Sequence, residues 1–356
     1  MYIILLNVFR PTWIHAFAGI HADTAWTFKK LIYISLNVSC LHILRASVPL
    51  WLSNYNLRSS YQFWTIERRK WIFCYTGLLP IFAIFIVLRI IPIVRTFTLS
   101  FYESNLVNPQ SRFIGIENYR NLFGDHLFRT ALSNTTIFAA GTVVLSVGIG
   151  LALALLVNRT LRFSPFYETV YFLPVITPMV PVSIIWKWIY DPSFGLLNYI
   201  LSWFGIDPVG WLVYPNIGLW AIVIMSAWKL VGYNMVLFLV GLRNIPDEYM
   251  EAAALDGAGR FDLFLYVTLP LLKPILLLVM VINTISSYNV FTQVYVMTAG
   301  SQGTSANPVR VLVYDIWENA FRYFRMGYAS AEAVILFLII LTLTLIQFRT
   351  MRNKEV

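Results

Sequence analysis

Residues 248–272 read EYMEAAALDGAGRFDLFLYVTLPLL, a charged, glycine-bearing passage between apolar runs at about 218–240 and 274–297. Its local chemistry predicts two short helices. Pro246 suits a first helical turn, and Asp247 and Glu248 suit the positive N-terminal end of a helix dipole. Glu251, Ala252, Ala253 and Ala254 are good helix formers, and the small side chains would let a partner surface approach closely. Gly257 and Gly259 then turn the chain, because glycine adopts such backbone conformations at little cost. Phe261, Phe264, Leu265 and Thr268 recur at helical spacing and predict a second helix lying along a membrane surface. Pro270 and Pro274 mark the return to the apolar run.

The flanking runs typify the whole chain. Of its 356 residues 58% are hydrophobic and only 12% charged, about half the charged fraction of a soluble domain, and the mean hydropathy is +0.69. The 12 Trp, 20 Tyr and 26 Phe suit a chain that meets membrane–water boundaries. A formal charge of +9 raises the question of nucleic acid, but no basic stripe or recognition motif accompanies it. Lys and Arg in cytoplasmic loops, against anionic headgroups, account for the charge instead, and no nucleic-acid partner is expected.

Outward from the loop, six stretches near the roughly 20 residues a spanning helix needs run at about 72–94, 131–157, 168–190, 218–240, 274–297 and 327–348. Lipid offers no partner for exposed backbone groups, so these must be helices, and Pro80, Pro92, Pro174, Pro178 and Pro181 predict kinks or broken turns. The expected fold class is an all-α integral membrane bundle. Arg68, Arg69 and Lys70 precede the first stretch, Arg159 and Arg162 follow the second, and Arg349, Arg352 and Lys354 close the chain. The loop at about 191–217 has Asp191 and Asp207 but no Lys or Arg. The positive-inside rule then places both ends of the six-span unit and the loop at 241–273 in the cytoplasm, despite Arg95, Arg112, Arg120 and Arg129 on the other side. Residues 69–350 form that unit, with a cytoplasmic loop at about 243–273 and a cytoplasmic tail at 351–356. Residues 1–68 read as an extension, interfacial, disordered or the product of an over-long start; basic residues at both flanks of 31–52 disfavour a seventh span.

Catalytic signatures are missing. The chain has no Gly-Lys pair and so no P-loop, and neither an HExxH nor a GxSxG motif. Cys40 and Cys74 form no CxxC, and His15, His21, His42 and His126 share no ligand spacing, so no metal or other bound cofactor is expected. The chain is not expected to be an enzyme; if transport is driven by ATP, another subunit must hydrolyse it.

Glu251-Ala252-Ala253, three residues to Gly257, then nine to Val267-Thr268-Leu269-Pro270 resembles the EAA loop of ABC importer permeases, with Val267 where the family has Ile. The resemblance extends over roughly residues 70–350 and is nearest the maltose and sugar-permease type. Arg112-Phe113-Ile114-Gly115 with Glu117-Asn118-Tyr119 is similar to an extracytoplasmic stretch of that type, and 291–303 with Ala329-Ser330-Ala331 to its last two spans. Thr292 replaces an acid and Ala299-Gly300-Ser301-Gln302-Gly303 a glycine run, which leaves the sugar open. The resemblance implies a non-catalytic subunit of a bacterial or archaeal plasma membrane, partnered by a second homologous permease, a dimer of cytoplasmic ATP-binding subunits that carry ATP and Mg, and an extracytoplasmic solute-binding protein. It implies coupling to the ATPase through Glu251, Ala252, Ala253, Asp256, Gly257, Leu269 and Pro270, and alternating access by rigid-body rocking.

Polar residues at bilayer depth are costly and mark a pathway or helix–helix glue. Asn283, Ser286, Ser287, Asn289 and Gln293 in the fifth span, with Trp228, Gly232 and Tyr233 in the fourth, form the expected substrate path. Amides and hydroxyls would bond sugar hydroxyls, and an aromatic would cover a CH face. Lys187, Lys229 and Arg89 are expected to snorkel, Glu332 to be solvated at a helix end, and the Ser146, Gly150, Ala154 face to pack against a neighbour. Glycerol phosphate or another small solute remains an alternative cargo. An ion-coupled secondary transporter would need paired intramembrane acids and an inverted repeat, and neither is visible in the sequence.

Overall fold

The computed structural model describes residues 66–105, 111–158, 164–298 and 309–351. The proposed extension (but for its last residues), the tail beyond 351 and the 299–303 substitution of the glycine run lie outside them. In chain order the elements are α1 Ile66–Phe85, a π-helical turn Ile86–Ile90, α2 Ile91–Leu99, β1 Tyr102–Glu103, β2 Arg112–Phe113, α3 Glu117–Gly124, α4 His126–Val157, α5 Ser164–Ile176, α6 Met179–Ile189 and α7 Leu196–Ser202. Then follow α8 Pro215–Arg243, α9 Asp247–Leu255, α10 Arg260–Asp262, a π-helical stretch Leu263–Thr268, α11 Leu269–Tyr288, α12 Thr292–Thr298, α13 Leu312–Trp317, a π-helical turn Glu318–Arg322 and α14 Met326–Met351. Two units part between Ala83 and Ile84. Of the first, only part of α1 is described: a helix with Trp71, Tyr75, Leu79 and Ile81 exposed, as a lipid-facing helix would have them.

Five helices among the described residues are long and apolar enough to cross a membrane, or up to six if one bent pair is a single span. That pair is α5 and α6, which meet at 95°. The sequence predicts a kink here, and proline chemistry supplies the reason: Pro178 and Pro181 remove the amide donors on which the helix would continue. The fifth span also departs from expectation. Residues 260–288 form one continuous helix, so the face of Phe261 and Phe264 leads into the span and is not a separate surface helix. The missing N–H of Pro270 is absorbed by the wide turns of Leu263–Thr268, where the Leu269 N–H reaches back to the Phe264 carbonyl. At the other end the helix stops at Tyr288, short of the expected 297. There the Asn289 amide donates to the Ile285 carbonyl at 2.6 Å, competing with the backbone ladder.

In the second unit, α4, α8 and α11 pack along one another, with α14 against α11 and α2. Two apolar cores stack along them. One gathers Phe138, Ile222, Met225, Val290, Val294 and Tyr314, the other Val147, Ala154, Met235, Phe238, Leu272 and Val279. The seam between α4 and α8 runs along the predicted small-residue face: Ser146 and Ala154 are fully buried, and a Cβ on Gly150 would stand 2.8 Å from the Asn234 Cβ. Between β2 and α3, the Asn118 amide donates to the Ser100 and Tyr102 carbonyls at 2.9 and 3.1 Å, and Gly115 turns the chain at φ +60°. Arg112-Phe113-Ile114-Gly115 and Glu117-Asn118-Tyr119 thus form a pinned turn beside the end of α2.

Candidate functional site

Between the two apolar cores lies a belt of polar side chains: Thr142 and Ser146 on α4, Ser226, Lys229 and Asn234 on α8, Asn283 and Ser287 on α11, and Gln293 on α12. Burying so many polar groups inside an apolar bundle is costly unless they bond. Part of the belt does so. The Asn283 amide donates to Asn234 Oδ1 at 2.8 Å and to the Val279 carbonyl at 2.8 Å, the Asn234 amide donates to Asn283 Oδ1 at 3.3 Å, and the Ser146 hydroxyl reaches the same oxygen at 3.4 Å. This triad ties α4, α8 and α11 together.

The rest of the belt, Lys229 apart, opens on a cavity of about 220 Å³ walled by α4, α6, α8, the end of α11, the unwound residues that follow it and the start of α12. Phe138, Thr142, Met179, Ser226 and Leu230 face Ser286, Ser287, Asn289, Phe291, Thr292 and Gln293. Among the described residues the buried Thr142 and Ser287 hydroxyls have no hydrogen-bond partner, and the Gln293 amide donates a long bond, 3.4 Å, to the Ser226 hydroxyl. Buried donors and acceptors left unused are exceptional and need a reason; a polar solute in the cavity would supply one. At the unwound end Phe291 stacks on Tyr295 at 5.4 Å, with Tyr314 and Trp317 behind it. Among the described residues no cationic side chain lines the cavity.

Of the residues expected in a substrate path, the structure brings Ser286, Ser287, Asn289 and Gln293 together on the cavity wall, while Trp228 is exposed and outside the lining. It places Asn283 in the bonded triad. Gly232 lies in the seam with α5, where a Cβ would stand 2.0 Å from the Tyr171 carbonyl oxygen, and Tyr233 is half-buried outside the cavity lining. The contributions of α4 and α6 were missed, although Thr142 and Ser146, four residues apart in an apolar span, carried a signal. Met179 carried none.

Two further expectations are corrected. Lys229 does not snorkel: it is 9% exposed, and its ammonium donates to the Pro174 and Thr177 carbonyls at 2.8 and 2.6 Å. Glu332 is not solvated but fully buried, accepting from the Asn319 amide at 3.0 Å. It belongs to a group of acids, including Asp315 and Glu318, around Arg310, which neighbouring chain segments assemble and the sequence scatters. Arg310 bonds Asp315 and pairs with Glu318 at 2.7 Å. Burial opposes the charge on Arg310, yet Asp315 and Glu318 hold its guanidinium above the ordinary arginine range. Burial pushes the Asp315 carboxyl up, against the pull of Arg310. Bonds from the Asn134 amide to the Arg310 carbonyl, 2.9 Å, and from the Leu312 N–H to the Thr135 hydroxyl, 2.8 Å, fasten this segment to α4.

The loop that decided the sequence reading is the second site. α9 buries none of its residues, and Leu255 is 89% exposed, with Tyr249, Phe261 and Tyr266 exposed nearby. Asp256 caps the helix, and Gly257 follows at φ +84°. The Gly257 N–H donates to the Ala254 carbonyl at 3.1 Å and the Ala258 N–H to the Ala253 carbonyl at 3.0 Å, the paired bonds of a Schellman ending. Glu251, Ala252 and Asp256 are exposed, Ala253 is half-buried, and Leu269 and Pro270 lie half-buried at the start of α11. Beside the loop, Arg243 at the end of α8 pairs with Glu168 of α5 at 2.5 Å.

Known proteins carry the same architecture. The chain is 32% identical to the trehalose/maltose transport system permease protein MalF of Thermococcus litoralis over 284 residues, 79% of this chain and 94% of that protein. It is 35% identical to the probable ABC transporter permease protein YurN of Bacillus subtilis over 276 residues, 76% of this chain and 94% of that one. A solved bacterial alginate ABC transporter, in complex with an alginate pentasaccharide-bound periplasmic protein, has a chain of the same fold, with a TM-score of 0.70 at 23% identity, covering 80% of this chain and 95% of that one. The pattern of the binding-protein-dependent transport system inner membrane component family matches residues 145–352. A multi-pass helical chain with an exposed loop, a polar cavity between its helices and these relatives belongs to the family of inner membrane components of binding-protein-dependent transport systems.

Proposed function

We propose that the chain is the permease subunit of an ATP-driven importer of a sugar or related polyol, and that the cavity beside the unwound end of α11 is a station on the solute's path. The observation that carries the reading is the pair of buried, unpartnered hydroxyls of Thr142 and Ser287 facing the cavity. Hydroxyls, amides and a stacked aromatic wall suit a polyhydroxy solute: the polar groups exchange bonds with its OH groups, and Phe291 covers a CH face. The lack of a cation in the lining favours a neutral solute over glycerol phosphate, whose charge would call for Lys or Arg. The trehalose/maltose and lactose permeases among the relatives agree with this cargo class.

The exposed α9 and its glycine turn act as the coupling element. In this reading the loop and the C-terminus lie in the cytoplasm, as the basic residues favour, and α9 docks on a dimeric ATPase subunit that holds ATP and Mg. Glu251 pairs with a polar or basic group there, Ala252 and Ala253 permit close approach, and Gly257 sets the bend. Closure of the ATPase dimer rocks the spans of this chain and a second, homologous permease, so that the cavity opens alternately to a solute-binding protein and to the cytoplasm.

The test is co-purification from native membranes in mild detergent, joined to uptake of radiolabelled sugars. A second permease and a P-loop ATPase, both lost in Glu251→Lys, are the expected companions. A chain that emerges alone under several mild conditions would overturn the reading.

A further inference from the structure

Lys229 is a buried cation, and no carboxylate pairs with it among the described residues. Its partners explain its presence. In a continuous helix the Pro174 carbonyl would accept from the N–H of residue 178, and the Thr177 carbonyl from that of residue 181. Both positions are proline, which has no N–H. The Lys229 ammonium donates to these same two carbonyls, at 2.8 and 2.6 Å, and lies 3.5 Å from the Val175 carbonyl. The Thr177 hydroxyl adds a second bond to the Pro174 carbonyl at 2.7 Å. A side chain on α8 thus replaces donors that the broken span cannot provide for itself, and an orphaned carbonyl in an apolar bundle is expensive.

We propose that Lys229 is the positioning residue of the solute cavity. Its ammonium holds the 95° elbow between α5 and α6, and the elbow carries Met179 on the cavity wall. Gly232, one turn along α8, brings the same elbow within backbone contact at Tyr171, and the Tyr190 hydroxyl fastens the far end of α6 to the Ala221 carbonyl at 2.9 Å. Three points on one helix therefore define where the bent span lies. The inference rests on the proposed function only in naming the cavity as the solute's chamber. Its test reads the elbow itself and needs no knowledge of the cargo.

The test is a cycle between Lys229→Met, which keeps the length of the stem and removes the donors, and Pro178→Ala with Pro181→Ala, which restores the missing amides. Each variant is purified with its companions in a background with Cys40→Ser and Cys74→Ser. Spin labels at Phe166→Cys and Trp188→Cys, both exposed and on opposite arms of the elbow, report its angle. Lys229→Met alone is expected to broaden the distance distribution toward longer separations and to lower the unfolding midpoint by about 5 °C. In the Pro→Ala background the same substitution is expected to change both by less than half as much. If Lys229→Met alone does not accumulate, accumulation becomes the readout: recovery in the Pro→Ala background supports the assignment, and failure in both backgrounds overturns it. Equal effects in the two backgrounds overturn it too. So does an unchanged distance distribution in Lys229→Met.

Discussion

Gly257 offers a sharp perturbation, because its backbone and its surroundings make opposite demands. At φ +84° it lies where an L-residue is strained, yet a Cβ there meets nothing within 4 Å. Gly257→Ala therefore tests the backbone alone, at a cost of about 1–2 kcal/mol. In a packed core such a loss would be absorbed. Here the helix it terminates has 9 residues, buries none of them, and is far shorter than an isolated helix needs for stability. A change of that size alters the population of the ordered turn by roughly 5–30-fold. Hydrogen exchange of the Gly257 and Ala258 amides, whose bonds form the Schellman ending, should accelerate by that factor. Sugar uptake and retention of the ATPase subunit should fall with it if α9 is the coupling element. Gly257→Asn should recover part of the loss, since Asn tolerates the left-handed region better. Gly259→Ala is the control. Its φ of −72° suits any residue, and the added Cβ meets only the Asp262 carboxylate at 3.2 Å. Equal effects of Gly257→Ala and Gly259→Ala on exchange would refute the reasoning.

Four other substitutions separate solute contact from structural glue. Ser287→Ala removes a buried hydroxyl that bonds nothing; the unfolding midpoint should stay within about 2 °C while the half-saturating sugar concentration rises about five-fold. Asn283→Ala breaks a satisfied triad and strands the Asn234 amide, so the midpoint should drop by roughly 5–10 °C. Arg310→Met leaves Asp315 buried without its cation and Glu318 with Arg322 alone, a loss of about 3–5 kcal/mol visible as poor accumulation and early unfolding; a parent-like melting curve would contradict the ion group. Gly232→Ala places a methyl 2.0 Å from the Tyr171 carbonyl oxygen, so α5 and α8 must part by more than an ångström, at about 1–3 kcal/mol, and the elbow labels should report the displacement.

What could be read from the chain depended on the range of the interaction that decides it. The spans follow from composition, because lipid forces any long apolar run into a helix. The turn at Gly257 follows from neighbours within five residues, and so does the break at Pro178 and Pro181. Even the boundary errors were local in origin: the fifth span ended early because the Asn289 side chain bonds the turn behind it, and began early because π-helical turns carried the helix through Pro270.

The candidate site divides along the same line. Ser286, Ser287 and Asn289 could be picked out because polar groups are conspicuous in an apolar span. Asn283 was equally conspicuous, yet it bonds Asn234, 49 residues away, and no local pattern tells a residue facing a cavity from one facing a partner amide. Glu332 and Lys229 were misread for the same reason. Each has its partners on another element, Asn319 across the turn before α14 and the carbonyls of the α5–α6 elbow, and the environment of a buried charge is set by what packs against it. The membrane crossings, the bend where proline removes donors and the helix–glycine turn are legible in the chain alone. Which polar side chains satisfy one another and which are left to face a cavity emerges once the helices pack, because hydrogen-bond satisfaction belongs to the assembled helices and not to any one of them.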